Sequence, residues 1–224
     1  MSKKADNKHD ELENVQHALT TSEAFIEKYQ KQILTAIGII VLVVLAILAF
    51  RSYYLKPREV AAENEMSKAQ AFFAADSFKV ALEGNKDILG FKEIASDYSL
   101  TASGNLATAY AGICYYKLGQ YENAIKYLSQ YDGDDAYFSI SLIGLTGDAY
   151  VELGQVEKGI SYFDKAANSK NDVISPIFLK KAGVAYESLN KPEKALELYN
   201  KIKDNYPKSN EASDIDKYIA RVQK

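Results

Sequence analysis

Catalysis needs a nucleophile beside a base, an acid–base pair, a metal-ligand set or a phosphate cradle, and this 224-residue sequence has few residues to supply one. Its single cysteine is Cys114 and its two histidines are His9 and His17. A Cys–His dyad or a zinc site needs these residue types within a few ångströms of each other. An uncharged apolar run, Ile33–Phe50, stands between the histidines and the cysteine and is long enough to place them on opposite sides of a membrane. Cys114 is therefore expected as a small buried filler, not as a nucleophile. Asp132, Asp134 and Asp135 cluster around Gly133. Calcium loops use such oxygens, but the EF-hand spacing and its closing glutamate are missing, and a solvated turn is expected. No Walker loop, no G-x-G-x-x-G and no G-x-S-x-G occurs. The chain reads as a non-enzyme, with no catalytic residues, no metal site, no cofactor and no small-molecule substrate.

Composition narrows the partners. Lys and Arg number 27 against 30 Asp and Glu, a net charge of -3. That balance excludes the concentrated basic surface a nucleic-acid binder needs. One cysteine excludes an intramolecular disulfide framework. With 47% hydrophobic residues, 12 Gly and 4 Pro, the chain is neither wholly disordered nor collagen-like.

The apolar run must be placed first. Ile33–Phe50 holds no charge and only Thr35 as a polar side chain. As a helix it is about 27 Å long, close to the ~30 Å hydrocarbon core of a bilayer. Tyr29 lies before it and Tyr53 and Tyr54 after it, where amphipathic rings prefer the interface. Lys28, Lys31, Arg51 and Lys56 can snorkel toward headgroups. A cleaved signal peptide fits poorly, because the preceding segment is long and acidic and no A-x-A site follows. The reading is an uncleaved transmembrane anchor at 33–50. Lys3, Lys4, Lys8, Lys28 and Lys31 on one flank nearly balance Arg51, Lys56, Arg58 and Lys68 on the other, so charge leaves its orientation open.

Ahead of the anchor, residues 1–10 are polar and expected to be disordered. Leu12, Val15, Leu19, Ile26, Tyr29 and Ile33 follow helical spacing interrupted at Ser22, and Thr20 with Glu23 fits a capping box. The segment 1–32 is read as carrying an amphipathic helix, lying either along the bilayer surface or in a partner-binding seam.

From Glu59 onward the apolar spacing is helical, and the chain repeats itself. GICYYKLGQYENAIKYL at Gly112–Leu128, GDAYVELGQVEKGISYF at Gly147–Phe163 and GVAYESLNKPEKALELY at Gly183–Tyr199 align without a gap. Their leading glycines are 35 and 36 residues apart. Small residues (Gly112, Ala124; Gly147, Gly159; Gly183, Ala195) let two helices approach, and Leu128, Phe163 and Tyr199 fill the gap between them. Gly119, Gly154 and Asn190 fall where the first helix must end, suited to a left-handed cap. Pro207 closes the last repeat. The pattern resembles the tetratricopeptide repeat, two antiparallel helices per ~34 residues. The usual Trp is replaced by Thr108, Ile143 and Leu179.

Together with the apolar run, this resemblance implies an all-α chain: one transmembrane helix, then an α-solenoid of repeats with a capping helix. The expected divisions are a linker helix and degenerate first repeat at 51–104, repeats at 105–139, 140–175 and 176–210, and a capping helix at 211–224 with Ile215, Tyr218, Ile219 and Val222 as its apolar stripe. Within 51–104, residues 62–84 are expected as one helix and 90–104 as the second helix and turn. The resemblance also places a partner groove along the first helices, lined by Leu106, Ala109, Ile113 and Tyr116; by Ser141, Gly144, Asp148 and Val151; and by Ile177, Lys180, Val184 and Glu187. Ile113, Asp148 and Val184 stand where co-chaperone repeats carry the Asn of a carboxylate clamp, so capture of a chaperone's C-terminal carboxylate is disfavoured. An apolar peptide or partner helix is the expected occupant.

The layout of short N-terminal segment, anchor, repeats and cap, with SEAFIEKYQKQ leading into the anchor and TASGNLATAYAGICYYKLGQYENAI opening the repeats, resembles the YfgM-type ancillary subunits of the bacterial SecYEG translocon. That resemblance implies an inner-membrane protein with a cytoplasmic N-terminus and periplasmic repeats. Its implied partners are SecYEG, a PpiD-type periplasmic chaperone and newly secreted polypeptides. The repeats alone equally suit a scaffold for an envelope or outer-membrane biogenesis complex, or a cytoplasmic docking platform.

Overall fold

The structure, a computed structural model, describes residues 28–169 and 171–224. His9, His17, the Thr20–Glu23 capping box and the apolar spacing of residues 12–26 lie outside them. The described residues are helical and turn-forming, with no strand among them. Two compact units divide the chain, Met1–Lys56 and Pro57–Lys224.

In the first unit, helix α1 (28–49) carries the apolar run, and every residue from 34 to 50 is exposed. Its most apolar 18-residue window has a mean hydropathy of 3.2, and none of that window is buried. Among the described residues this is the one helix long and apolar enough to cross a membrane. Thr35 returns its hydroxyl to the Lys31 carbonyl at 2.8 Å, so the run's one polar side chain is satisfied within the helix. The run ends in a π-helical turn, Phe50–Leu55, where the Lys56 N–H reaches the Arg51 carbonyl and Phe50 stacks on Tyr54 at 5.0 Å.

The second unit, from Pro57, holds all of α2 (Lys56–Ala74) but its first residue, then α3 (Phe78–Glu83) and α4 (Phe91–Asp97). The single helix expected over 62–84 is thus two. Asp76 takes a left-handed φ of 54°. The Ser77 N–H meets the Phe72 carbonyl at 2.9 Å and the Asp76 N–H that of Phe73 at 3.1 Å, the paired bonds of a Schellman cap. The break lets Phe78 fold edge-on to Phe73 at 5.4 Å, and Tyr110 joins both Phe73 and Phe91. Aromatic packing is reason enough to end the helix there.

Three helix pairs follow: α5 (Ala102–Lys117) with α6 (Tyr121–Leu128), α7 (Phe138–Glu152) with α8 (Val156–Ala167), and α9 (Ile174–Ser188) with α10 (Pro192–Asn205). Each first helix ends in the same device. Gly119 and Gly154 have φ of 73° and Asn190 of 53°. The N–H groups of Gln120, Gln155 and Lys191 close on the carbonyls of Tyr115, Tyr150 and Tyr186 at 2.9–3.0 Å. Within each pair the expected close approach is present: a Cβ at Gly112 or Gly147 would stand 2.7 Å from Leu128 or Phe163, and one at Gly183 would collide with Tyr199. The chain ends in a 3₁₀ turn, Glu211–Asp214, and α11 (Ile215–Val222), whose Ile215, Tyr218, Ile219 and Val222 join the core of the last two pairs.

Candidate interaction groove

The shared capping geometry reverses the chain after each first helix, so α7 and α9 lie side by side and their middle turns border one groove. A cavity of about 490 Å³ in it is lined by Asp148 and Val151 of α7, Phe163 of α8, Ile177, Lys180, Lys181, Val184, Ala185 and Ser188 of α9, and Glu211. The floor is apolar and Val184 is 45% exposed on it. The charges on its walls are largely paired inside the chain. Lys181 bonds Asp148 at 2.6 Å, tying α9 to α7, and Lys180 bonds Asp214 at 2.6 Å while lying 4.4 Å over the Tyr218 ring. Burial raises the Asp148 carboxyl above its ordinary value and outweighs the lowering by Lys181.

Of the twelve residues expected to line a groove, Asp148, Val151, Ile177, Lys180 and Val184 come together here. Ala109 is a correction: it has no exposed surface and packs with Ala124, Leu128 and Leu142. Its methyl group sits where α5 meets its neighbours, a position helical spacing alone does not separate from the face beside it. Leu106 is half-buried against the α2–α5 core, and Ile113 and Tyr116 are half-buried against the Ala109 cluster. Tyr116 meets Tyr121 edge-on at 5.6 Å, and burial followed by the Asp148 and Glu152 carboxylates pushes its hydroxyl up to about 12. Glu187 faces the cap. It accepts from Arg221 at 2.8 and 2.7 Å and from the buried Tyr199 hydroxyl. Gly144 is buried under the Phe178 ring, and Ser141 is exposed, bonding the Tyr137 carbonyl.

Sequence reasoning missed Phe163, Lys181, Ala185, Ser188 and Glu211 as lining residues. Phe163 was recognised as packing, and its ring also closes the cavity floor. Glu211 lies in the turn before α11, where no periodicity points to it.

The other candidates for chemistry are accounted for structurally. Cys114 is fully buried, and burial pushes its thiol up to about 12. Asp135 accepts from the N–H groups of Tyr137 and Phe138 at 2.8 and 2.6 Å, which caps α7 and holds its carboxyl below the usual range. The Asn171 side-chain oxygen likewise accepts from the N–H groups of Val173 and Ile174 at 2.9 and 3.0 Å ahead of α9. Asp132 exchanges two bonds with the Asn105 side chain through its backbone. Among the described residues no group of three or more His, Cys, Asp or Glu could hold a metal ion.

Comparison with known proteins agrees with this architecture. One model of the tetratricopeptide repeat matches residues 110–131 and 180–209, and a second model of the same repeat matches 136–172. A solved tetratricopeptide repeat protein from Parabacteroides merdae is similar in fold, with a TM-score of 0.58 and 16% identity; the match covers 72% of this chain and 60% of that one. This chain therefore spans less than two thirds of that protein's length. No curated protein matches the sequence.

Proposed function

We propose that this chain, whose repeats are tetratricopeptide repeats, is a membrane-tethered adaptor of the bacterial envelope that holds protein partners in the α7–α9 groove. Single-pass insertion by α1 is the premise, supported by an apolar helix of membrane-spanning length with no buried residue in its core window. The observation that carries the binding role is the cavity bounded by Val151, Phe163, Ile177 and Val184, an apolar floor on a folded domain whose wall lysines already have partners. Such repeats bind peptides or helices through side-chain pockets, not through chemistry. Tethering raises the effective concentration of a partner complex to about the millimolar range, so contacts that are weak in solution suffice.

In the finer reading the N-terminus is cytoplasmic and the repeats periplasmic at the inner membrane. There the protein acts as an ancillary subunit of the SecYEG translocon, linking it to a PpiD-type chaperone and to newly secreted polypeptides. The resemblance of the whole layout to YfgM-type proteins supports this assignment. Affinity purification of the full chain from membranes in mild detergent tests it. Translocon subunits should co-purify with the native chain and be depleted with Val184→Asp at equal expression. Purification of an unrelated envelope assembly in their place contradicts the translocon assignment.

A further inference from the structure

The groove continues past Val184. A second cavity of about 510 Å³ lies between the start of α9 and the turn after α10, lined in part by Asp172, Val173, Tyr206, Pro207 and Lys208, and it shares Ile177 and Glu211 with the first. Two lobes that meet at one aliphatic and one acidic residue suit an elongated ligand, a stretch of polypeptide, better than a compact one.

The charges add a direction. Both cations of the first lobe are held by the chain itself, Lys180 by Asp214 and Lys181 by Asp148, each at 2.6 Å. A ligand carboxylate would have to displace one of those partners. In the second lobe Asp172 and Lys208 stand opposite in sign and offset each other. Glu211, half-buried at the junction of the lobes, has no ion pair and no side-chain hydrogen bond among the described residues. Lys180 and Lys181 are each matched by a carboxylate of the chain, and Glu211 is the carboxylate at the junction that neither of them neutralises.

We propose that the groove selects an extended peptide segment that carries an aliphatic or aromatic side chain next to Lys or Arg, an inference that rests on the groove reading above. The apolar side chain covers Val151, Phe163, Ile177 and Val184, and the basic group pairs with Glu211 where the lobes meet. Acidic neighbours are rejected because both wall lysines are already neutralised and Glu211 repels them.

The test uses the full chain in lipid nanodiscs and three fluorescent ten-residue peptides of identical leucine-containing sequence, differing only in Lys, Gln or Glu beside the leucines. Anisotropy above the empty-nanodisc signal should rank them Lys, Gln, Glu, with the Lys peptide roughly two- to fivefold tighter than Gln, the scale of a partly exposed charge pair. Glu211→Gln should remove the Lys preference, bringing the Lys and Gln peptides to the same affinity, while Val184→Asp weakens all three. Equal affinities for the three peptides, or a Lys preference that survives Glu211→Gln, overturns this inference and leaves the groove reading standing. Failure of every peptide to bind, or binding indifferent to Val184→Asp, overturns the groove reading and this inference with it.

Discussion

Glu187 sits at a groove-type position of the repeat, yet its carboxylate holds the C-terminal cap: Arg221 grips it twice and the buried Tyr199 hydroxyl donates to it. Partial burial pushes this carboxyl up, but the Arg221 and Tyr199 bonds outweigh that and hold it below the usual range. A carboxyl lowered on folding contributes stability that is present above its unfolded value, about 4.3, and lost as pH falls through the folded one. Denaturant midpoints measured from pH 7 down to pH 3 should therefore fall more steeply for the native chain than for Glu187→Gln; parallel curves would contradict the role assigned to this carboxylate. Asp148 works in the opposite sense. Its carboxyl is raised by burial, so its contribution is present below the ordinary carboxylate range and lost as pH rises through the raised value. The exposure of Val184 and the packing of half-buried Ile113 also decide which substitution tests binding. Ile113→Asp would place a charge against Leu128 and Leu142 and is expected to cost ~2 kcal/mol or more. Val184→Asp, on a residue 45% exposed, should stay within ~0.5 kcal/mol. Thermal melts of the two variants separate these expectations.

At the scale of elements, the repeats were legible because their devices are local and recur at 35 and 36 residues. A left-handed cap needs Gly or Asn at one position, and a close crossing needs a small residue opposite a large one; both constraints appear in the sequence as residue types. Gly119→Ala at φ 73° with its space open should destabilise by about 1 kcal/mol through backbone strain alone, read as a shift in the denaturant midpoint. The spacing of residues 62–84 reads as one helix because its break is set by packing of Phe73 and Phe78 with Phe91 and Tyr110, which lie farther along the sequence. The same distance hid Glu59. Its carboxylate accepts from the Ala102 and Ser103 N–H groups at 2.7 and 3.0 Å and from the Ser103 hydroxyl, so α2 caps the start of α5 beside Thr101. Glu59→Ala should cost ~1–2 kcal/mol, and hydrogen exchange should show it first in the opening turn of α5.

For the whole molecule, an average composition conceals two unlike parts. The first unit holds an apolar helix with no buried residue in its core window, and the second is a folded repeat domain with its own core. Residues 1–50 carry 5 basic and 6 acidic side chains and residues 51–224 carry 22 and 24, so neither part is steered by net charge. The groove was only partly legible, since five of the twelve expected residues share one cavity while Ala109 is core and Glu187 serves the cap. A helical wheel gives a face, but whether that face meets solvent depends on the next repeat and, at the C-terminus, on the turn that brings Glu211 to the cavity. The proposed periplasmic placement of the repeats predicts that protease added to spheroplasts digests the second unit without detergent. Protection until lysis would place it in the cytoplasm.

The central claim is that the α7–α9 face, held at a membrane, is where partners bind. Site-specific photo-crosslinking in living cells tests it most directly, with the crosslinker placed at Val184 or, as control, at the exposed Glu197 on α10. The account predicts membrane-dependent adducts with envelope proteins from Val184, few or none from Glu197, and their loss when α1 is replaced by a cleavable signal peptide. Equal adduct yields from the two positions, or no adducts from Val184, would contradict it.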